Sequence, residues 1–312
     1  MKSDDFGGLD LTYRKQKKKR ILTVAVDGKR PNLALEKVKS YYSKRGYEVV
    51  EDYKKLTQHV DKIFISCLFT WNRHKVEPWL KSKCPVLVGG SGWDINSRLP
   101  EEIEKECPRI NYGYTSRGCP RRCPWCLVWK KEGSFHIVHK LTELWDGLSK
   151  DITLLDNNIL ANADHFHRVA WDAYRYDIRL HFYQGLDYRF VTRAIASSLG
   201  MIRHKRLRFA FDEPKDFDLV AGAINNLSDA GIRTSQWFVL VGYNTTLDED
   251  LSRINFLRSQ GQLVYLARYN YTREPQYIPL ARWTCNPRVF AKMTFYEFLE
   301  RPENRKFKKY WF

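Results

Sequence analysis

The amino-acid sequence predicts an α/β fold in two domains, a small parallel sheet followed by an open, partial barrel of six β/α units. Three observations predict it. Short apolar runs alternate with helix-period stretches between Arg20 and Cys107, six further apolar runs follow from Asn111 onward, the last five ending at intervals of 25 to 31 residues, and no low-complexity linker separates the two series. Strand and helix patterns alternating over such repeats mark parallel βα units. A chain of 312 residues also has the length for about two domains, each able to bury a core. The boundary is expected near Pro108, giving a basic tail at 1–19, a first domain at 20–108, the partial barrel at 109–272 and a basic extension at 273–312.

In the first domain ILTVAV (21–26) is the opening strand. ALEKVKSYYSKRG (34–46) reads as a helix with Leu35, Val38, Tyr41 and Tyr42 on one face, ended by Gly46. KIFISCLF (62–69) and PVLVGG (85–90) read as strands, with KVEPWLKS (75–82) as a short helix between them. PEEIEKE (100–106) places a proline at a helix start and acids in the first turn. This βαβα succession predicts a sheet of Rossmann type.

In the second domain the strand candidates are NYGYT (111–115), ITLLD (152–156), RLHFYQG (179–185), RLRFAFD (206–212), SQWFVLVG (235–242) and LVYLARYN (263–270). Their ends fall at or near Asp156, Asp187, Asp212, Gly242 and Tyr269. DFDLVAGAINNLSDAG (216–231) is a helix closed by Gly231. Six units do not close an eight-unit barrel but make an open one, and in β/α barrels the chemistry is built on the face where the strands end.

Composition narrows the function classes. With 43% hydrophobic and 14% aromatic residues the chain has too much apolar surface to stay unfolded. Its net charge of +17 favours a polyanionic partner, with RKQKKKR (14–20) and RPENRKFKKYWF (301–312) as the densest basic runs. The longest stretch without a charge, 234–247, is 14 residues, short of the roughly 20 a membrane-spanning helix needs. The first twenty residues lack the apolar run of a secretory signal, and a reducing cytosol is the expected compartment, with no membrane partner. Seven cysteines at 67, 84, 107, 119, 123, 126 and 285 are odd in number and clustered, which speaks for metal ligation over disulfides.

Three of them, Cys119, Cys123 and Cys126, form C-x3-C-x2-C in GYTSRGCPRRCPWCLVWKKEG, directly after the first strand of the second domain. Three thiolates on one loop hold three irons of a [4Fe-4S] cube and leave the fourth open for a ligand. The alternative is a structural zinc that takes Cys107 or His136 as its fourth ligand, although no second C-x2-C pair accompanies the loop.

The motif, with Trp125 just before its third cysteine, resembles the signature of the radical S-adenosylmethionine superfamily, and the resemblance covers roughly residues 109–272. It implies a radical S-adenosylmethionine barrel: the open iron chelates S-adenosylmethionine, an electron from the cluster cleaves the sulfonium, and a 5'-deoxyadenosyl radical abstracts a substrate hydrogen. By similarity Trp125 lies along the adenine. LLDNNIL places Asp156, Asn157 and Asn158 near the methionine moiety, and FYQGLDYRFVT offers Gln184, Asp187 and Arg189 to cofactor or substrate. RFAFD offers Asp212 to ribose hydroxyls, and the backbone at Val241 and Gly242 passes near the adenine. Read from the residues alone, Asp187 and Asp212 serve equally well as helix N-caps, and His136, His139, His165 and His167 as surface packing. The resemblance also implies an electron donor such as flavodoxin or ferredoxin.

An α/β domain ahead of such a barrel resembles a cobalamin-binding domain. Its first loop, VDGKRPNLA, has Asp27 but lacks the histidine of D-x-H-x-x-G, so cobalamin ligated by that motif is not expected. Methylthiotransferases need three cysteines for a second cluster, whereas VGGSGWD has none where one is wanted and none precedes Cys67. A degenerate domain of the cobalamin-binding type is the expectation. Three functions stay in view: a radical enzyme acting on DNA, RNA or a nucleoside; the same chemistry on a peptide or small metabolite; and a non-catalytic basic nucleic-acid-binding protein with a structural metal.

Overall fold

The computed structural model describes residues 19–28, 31–51, 59–269 and 274–312. The chain is an α/β protein with several small parallel sheets, divided into two compact units, Met1–Pro108 and Arg109–Phe312. Of the basic run at 14–20, only Lys19 and Arg20 lie within the described residues.

The first unit is built on four parallel strands, β1 (Arg20–Ala25), β2 (Glu48–Val50), β3 (Lys62–Ser66) and β4 (Val86–Gly89), in the order β2-β1-β3-β4. Successive strand residues point to opposite faces, and here both faces are covered. Leu22, Val24, Ile63 and Ile65 pack on one side with Val60, Cys67 and Val76. Ile21 and Phe64 pack on the other against Leu35, Val38 and Ile103. Double coverage is why these strands read as continuous apolar runs. Helix α1 (Leu33–Ser43) is capped by Asn32, whose side chain accepts from Leu35 N, and α2 (Glu101–Glu104) starts behind Pro100. The segment expected as one short helix at 75–82 is instead parts of two 3-10 turns, Thr70–Lys75 and Glu77–Lys81. Pro78 lacks the N–H that an α-helix would continue through.

The second unit begins with β5 (Tyr112–Gly113), then a two-stranded antiparallel ribbon of β6 (Ser116–Arg117) and β7 (His136–Ile137), with α3 (Val128–Lys131) between them and α4 (Leu141–Leu144) after. The remaining strands alternate with helices: β8 (Asp151–Leu154), α5 (Ala163–Arg175), β9 (Arg179–Phe182), α6 (Arg193–Met201), β10 (Arg208–Ala210), α7 (Phe217–Asp229), β11 (Gln236–Val241), α8 (Leu247–Ser259) and β12 (Leu263–Arg268). They form two parallel sheets, β5-β8-β9 and β10-β11-β12. A parallel bridge between Leu186 and Phe209, with Leu186 N donating to Arg208 O at 2.7 Å, joins the end of β9 to β10. Three helices, α9 (Tyr277–Thr284), α10 (Pro287–Lys292) and α11 (Phe295–Leu299), complete the chain and bury Trp283, Phe290 and Phe295. Among the described residues no helix is long and apolar enough to cross a membrane.

Candidate functional site

The three-cysteine loop leaves the ribbon at the end of β6 and returns to it at β7. Its first bend is fixed by Gly118, at φ +79°, where a Cβ would stand 2.2 Å from Ser134 O. Only glycine fits there. Cys119 N donates to Gly133 O at 3.1 Å, and Arg117 pairs with Glu132 at 2.9 Å, so the two feet of the loop are fastened together.

Asp156, Asn157 and Asn158, just past β8, hold the entry to this loop. Asp156 is buried and accepts four hydrogen bonds: Thr115 N at 3.0 Å, and Thr115 Oγ1, Ser116 N and Ser116 Oγ at 2.6 Å each. Burial pushes its pKa up, and the four donors pull against that shift. Asn157 Oδ1 accepts from Gly118 N at 2.9 Å. Asn158 Nδ2 donates to Cys119 Sγ at 3.3 Å and to Asp187 Oδ2 at 3.1 Å. Three consecutive side chains thus grip residues 115, 116, 118 and 119 in turn.

Around the thiols, Cys119 Sγ also accepts from Arg121 N and Cys126 Sγ from Val128 N, both at 3.4 Å. Burial raises the Cys126 pKa, Val128 N–H offsets it, and the negative charges of Cys123, Cys119 and Asp212 add to it. Burial opposes the charge of Arg121, yet its bond to Cys123 and the nearby Asp187 raise its pKa. The three sulfurs therefore share one electrostatic neighbourhood that a cationic group would relieve. Among the described residues no group of three or more His, Cys, Asp or Glu side chains is placed to hold a metal ion. Ligands of a multi-iron cluster sit on separate irons and stand wider apart. Three cysteine sulfurs, each met by an N–H donor, offer the soft donor set that such a cluster takes, and a buried Asn158 Oδ1 beside them has no hydrogen-bond partner.

Beyond the loop, Asp187 caps the turn Tyr188–Phe190 by accepting from Arg189 N, so the cap role it shares with ligand binding is realised. Arg189 bridges Asp187 at 3.0 Å and Asp216 at 2.9 Å. Gln184 is exposed in the turn after β9. Asp212 Oδ1 accepts from Leu240 N at 3.3 Å and caps no helix, and burial lifts its pKa to about 6. Val241 is fully buried, backbone included, and Gly242 follows at φ +73°. Trp125 meets Tyr243 edge to face at 5.1 Å, and Tyr243 meets Tyr269 at 4.6 Å.

Comparison with protein-family models and with curated proteins finds no match.

The site thus gathers the cysteine loop, Asn158, Asp187 and Arg189 by direct bonds, places Asp212 within electrostatic reach of Cys126, and joins Trp125 to an aromatic row at the ends of β11 and β12. Sequence reasoning did not see the partners Thr115, Ser116, Arg121 and Tyr243. An aromatic immediately after the strand-end Gly242 was the available signal for Tyr243. His165 is not a surface residue as expected: it is buried inside α5, with Nε2 2.9 Å from Thr115 Oγ1.

Proposed function

We propose that the chain is a radical S-adenosylmethionine enzyme, with Cys119, Cys123 and Cys126 as the ligands of a [4Fe-4S] cluster, and that it modifies a nucleic acid or nucleoside. The observation that carries the reading is the three-thiol loop gripped by Asp156, Asn157 and Asn158 at the carboxyl end of β8. Bound together, cluster and S-adenosylmethionine supply reductive sulfonium cleavage and a carbon radical able to take a substrate hydrogen. The residues do the rest. Asp212 and the Asp187–Arg189 pair offer acceptors and donors for hydroxyl, amino and carboxylate groups, and Trp125, Tyr243 and Tyr269 form an apolar wall suited to an adenine. The order β5-β8-β9 followed through the Leu186–Phe209 bridge by β10-β11-β12 supports an open, partial (β/α)6 barrel.

The first unit we read as a degenerate domain of the cobalamin-binding type. Asp27, the residue its first loop shares with that motif, accepts from Leu68 N at 2.5 Å, Phe69 N at 3.2 Å and Asn72 Nδ2 at 2.9 Å. A Cβ on Gly90 or Gly92 would lie 2.3 Å from the backbone of Cys67 or Phe69. Both features support a crevice at the strand ends filled by the chain's own groups. A small flavoprotein or ferredoxin is the electron donor this chemistry calls for.

Anaerobic reconstitution should give about four irons and four sulfides per chain, lost in the triple Cys→Ala variant. Dithionite and S-adenosylmethionine should then yield 5'-deoxyadenosine, and a deuterated oligonucleotide should pass label into it. Stoichiometric zinc without sulfide would overturn the cluster, and label arriving only from a peptide or metabolite would overturn the substrate class.

A further inference from the structure

We propose that the cavity between the β7–α4 segment and helix α5 is a nucleotide-binding site, with the phosphate on Arg168, the base on Trp171 and a ring amine or ribose hydroxyl donating to Asp172. None of these residues belongs to the cysteine loop or to the strand-end site. The inference therefore goes beyond the radical reading and does not depend on it.

The cavity measures about 650 Å³, within the roughly 300 to 1,000 Å³ of small-ligand sites. Leu141 and Val169, both buried, and the exposed Ile137 give it an apolar lining. Trp171 borders it at 57% accessibility, on a helix whose inward face holds Phe166, Val169, Ala170 and Ala173. A lone exposed aromatic is ordinary, but this one stands with polar groups that lack partners. Among the described residues the exposed Arg168 guanidinium makes no hydrogen bond or ion pair, and the half-buried Asp172 carboxylate accepts no hydrogen bond.

The two groups do not satisfy each other. Burial lowers the pKa of His165 on the cavity wall, and the charge of Arg168 lowers it further. Burial raises the pKa of Asp172, and the cations that offset this are Arg175 and Lys140. The cavity thus has a cationic end at Arg168 and an acceptor end at Asp172, with Trp171 one helical turn from Arg168. Arg168 and Lys140 against Asp172 leave a net positive charge, which suits a phosphate. An unpaired guanidinium, a flat exposed ring and a carboxylate without a donor call for an anion, a planar ring and an N–H or O–H group. A nucleotide carries all three. A fatty acid brings no donor to Asp172, and an inorganic anion brings no ring to Trp171.

Calorimetric titration of the reconstituted full-length chain with guanosine 5'-monophosphate, guanosine and inorganic phosphate tests the proposal, with S-adenosylhomocysteine present throughout to fill the strand-end site. Wild type should bind the nucleotide, and guanosine or phosphate about tenfold more weakly. Arg168→Gln should weaken the nucleotide about tenfold and leave guanosine unchanged, whereas Trp171→Ala should weaken nucleotide and guanosine alike and leave phosphate unchanged. Both side chains are exposed, so both variants should melt at the wild-type temperature. A single-stranded oligothymidylate that displaces the nucleotide more effectively than thymidine monophosphate does identifies a strand as the source of the ligand, and one that leaves it in place identifies a free nucleotide. Either supports the site. No nucleotide binding by wild type, binding that both variants leave intact, or displacement of the nucleotide by an acidic peptide but by no oligonucleotide or nucleotide overturns it. Radical chemistry without nucleotide binding on α5 removes this inference alone, and nucleotide binding by a chain that assembles no cluster removes only the earlier reading.

Discussion

Thr115 Oγ1 donates to Asp156 and is therefore an acceptor toward His165, so the proton between them sits on His165 Nε2. Burial, helped by the charge of Arg168, pushes the pKa of His165 below its ordinary 6.5. A depressed pKa on a base means that the unfolded chain takes up the proton first, so the stability this ring contributes is present above the unfolded pKa and lost as pH falls through 6.5 toward the folded value. Urea melts should show stability declining below pH 6.5, and His165→Gln should flatten that limb while costing about 1 kcal/mol at pH 7.5 for altered packing. An unchanged slope would assign the acid limb to other groups. Sequence alone gave the residue no special standing, because whether a helical histidine faces water or core depends on what lies beneath the helix.

At the scale of elements, Arg253 on α8 joins the ends of two strands. Fully buried, it donates from Nη1 to Phe211 O at 2.8 Å and Asp212 O at 2.9 Å, from Nη2 to Leu240 O at 2.8 Å, and to Asp250. Asp250 in turn accepts from Thr245 Oγ1 at 2.7 Å and from Tyr277 OH of α9 at 3.1 Å. Removing one member of a buried pair strands the other charge, which costs about 3 to 5 kcal/mol. Arg253→Met should lose that much in urea denaturation, and Arg253→Met with Asp250→Asn should recover part of it, since only unpaired dipoles then remain. Equal losses in the single and double variants would show that the stranded carboxylate is not the source. The strands these residues connect were legible because a parallel strand with one face buried and the other half-buried leaves a run of apolar residues, as in SQWFVLVG, and α7 because its 3.6-residue period ends at Gly231. Strand β2 and the β6–β7 ribbon were not, since two or three residues carry no period. Helices α9 to α11 were hidden by their shortness, eight, six and five residues, too few turns for a period to stand out, although Asn286 and Thr294 stand as caps accepting from Val289 N and Glu297 N. For the candidate site, the cysteines were legible from spacing, but the grip of Asp156, Asn157 and Asn158 on the loop is a tertiary relation between segments about forty residues apart.

For the molecule as a whole, the excess of positive charge has a located expression in the last dozen residues. Arg301, Arg305, Lys306, Lys308 and Lys309 stand there with the exposed aromatics Tyr310 and Phe312, the latter 77% accessible. Glu300 and Glu303 balance Lys308 at 2.6 Å and Arg301 at 3.8 Å, whereas Lys306 and Lys309 lie over the rings of Phe307 and Tyr310 at 5.3 and 5.1 Å. Cations beside aromatic faces suit a single-stranded nucleic acid, where phosphates meet the charges and bases stack on the rings. Each phosphate neutralised releases counterions, so the logarithm of affinity should fall linearly with the logarithm of salt, by about 0.7 per contact on a single strand. Fluorescence anisotropy with a labelled oligonucleotide at several salt concentrations measures that slope directly. Lys306→Gln with Lys309→Gln should lessen it by about 1.4, while Phe312→Ala should weaken binding at every salt concentration without changing the slope. Binding that is weak and indifferent to salt in wild type would remove the electrostatic ground for a nucleic-acid substrate and leave a peptide or metabolite in its place. A wild-type slope that the double lysine variant leaves intact would instead move the contact away from the C-terminal surface.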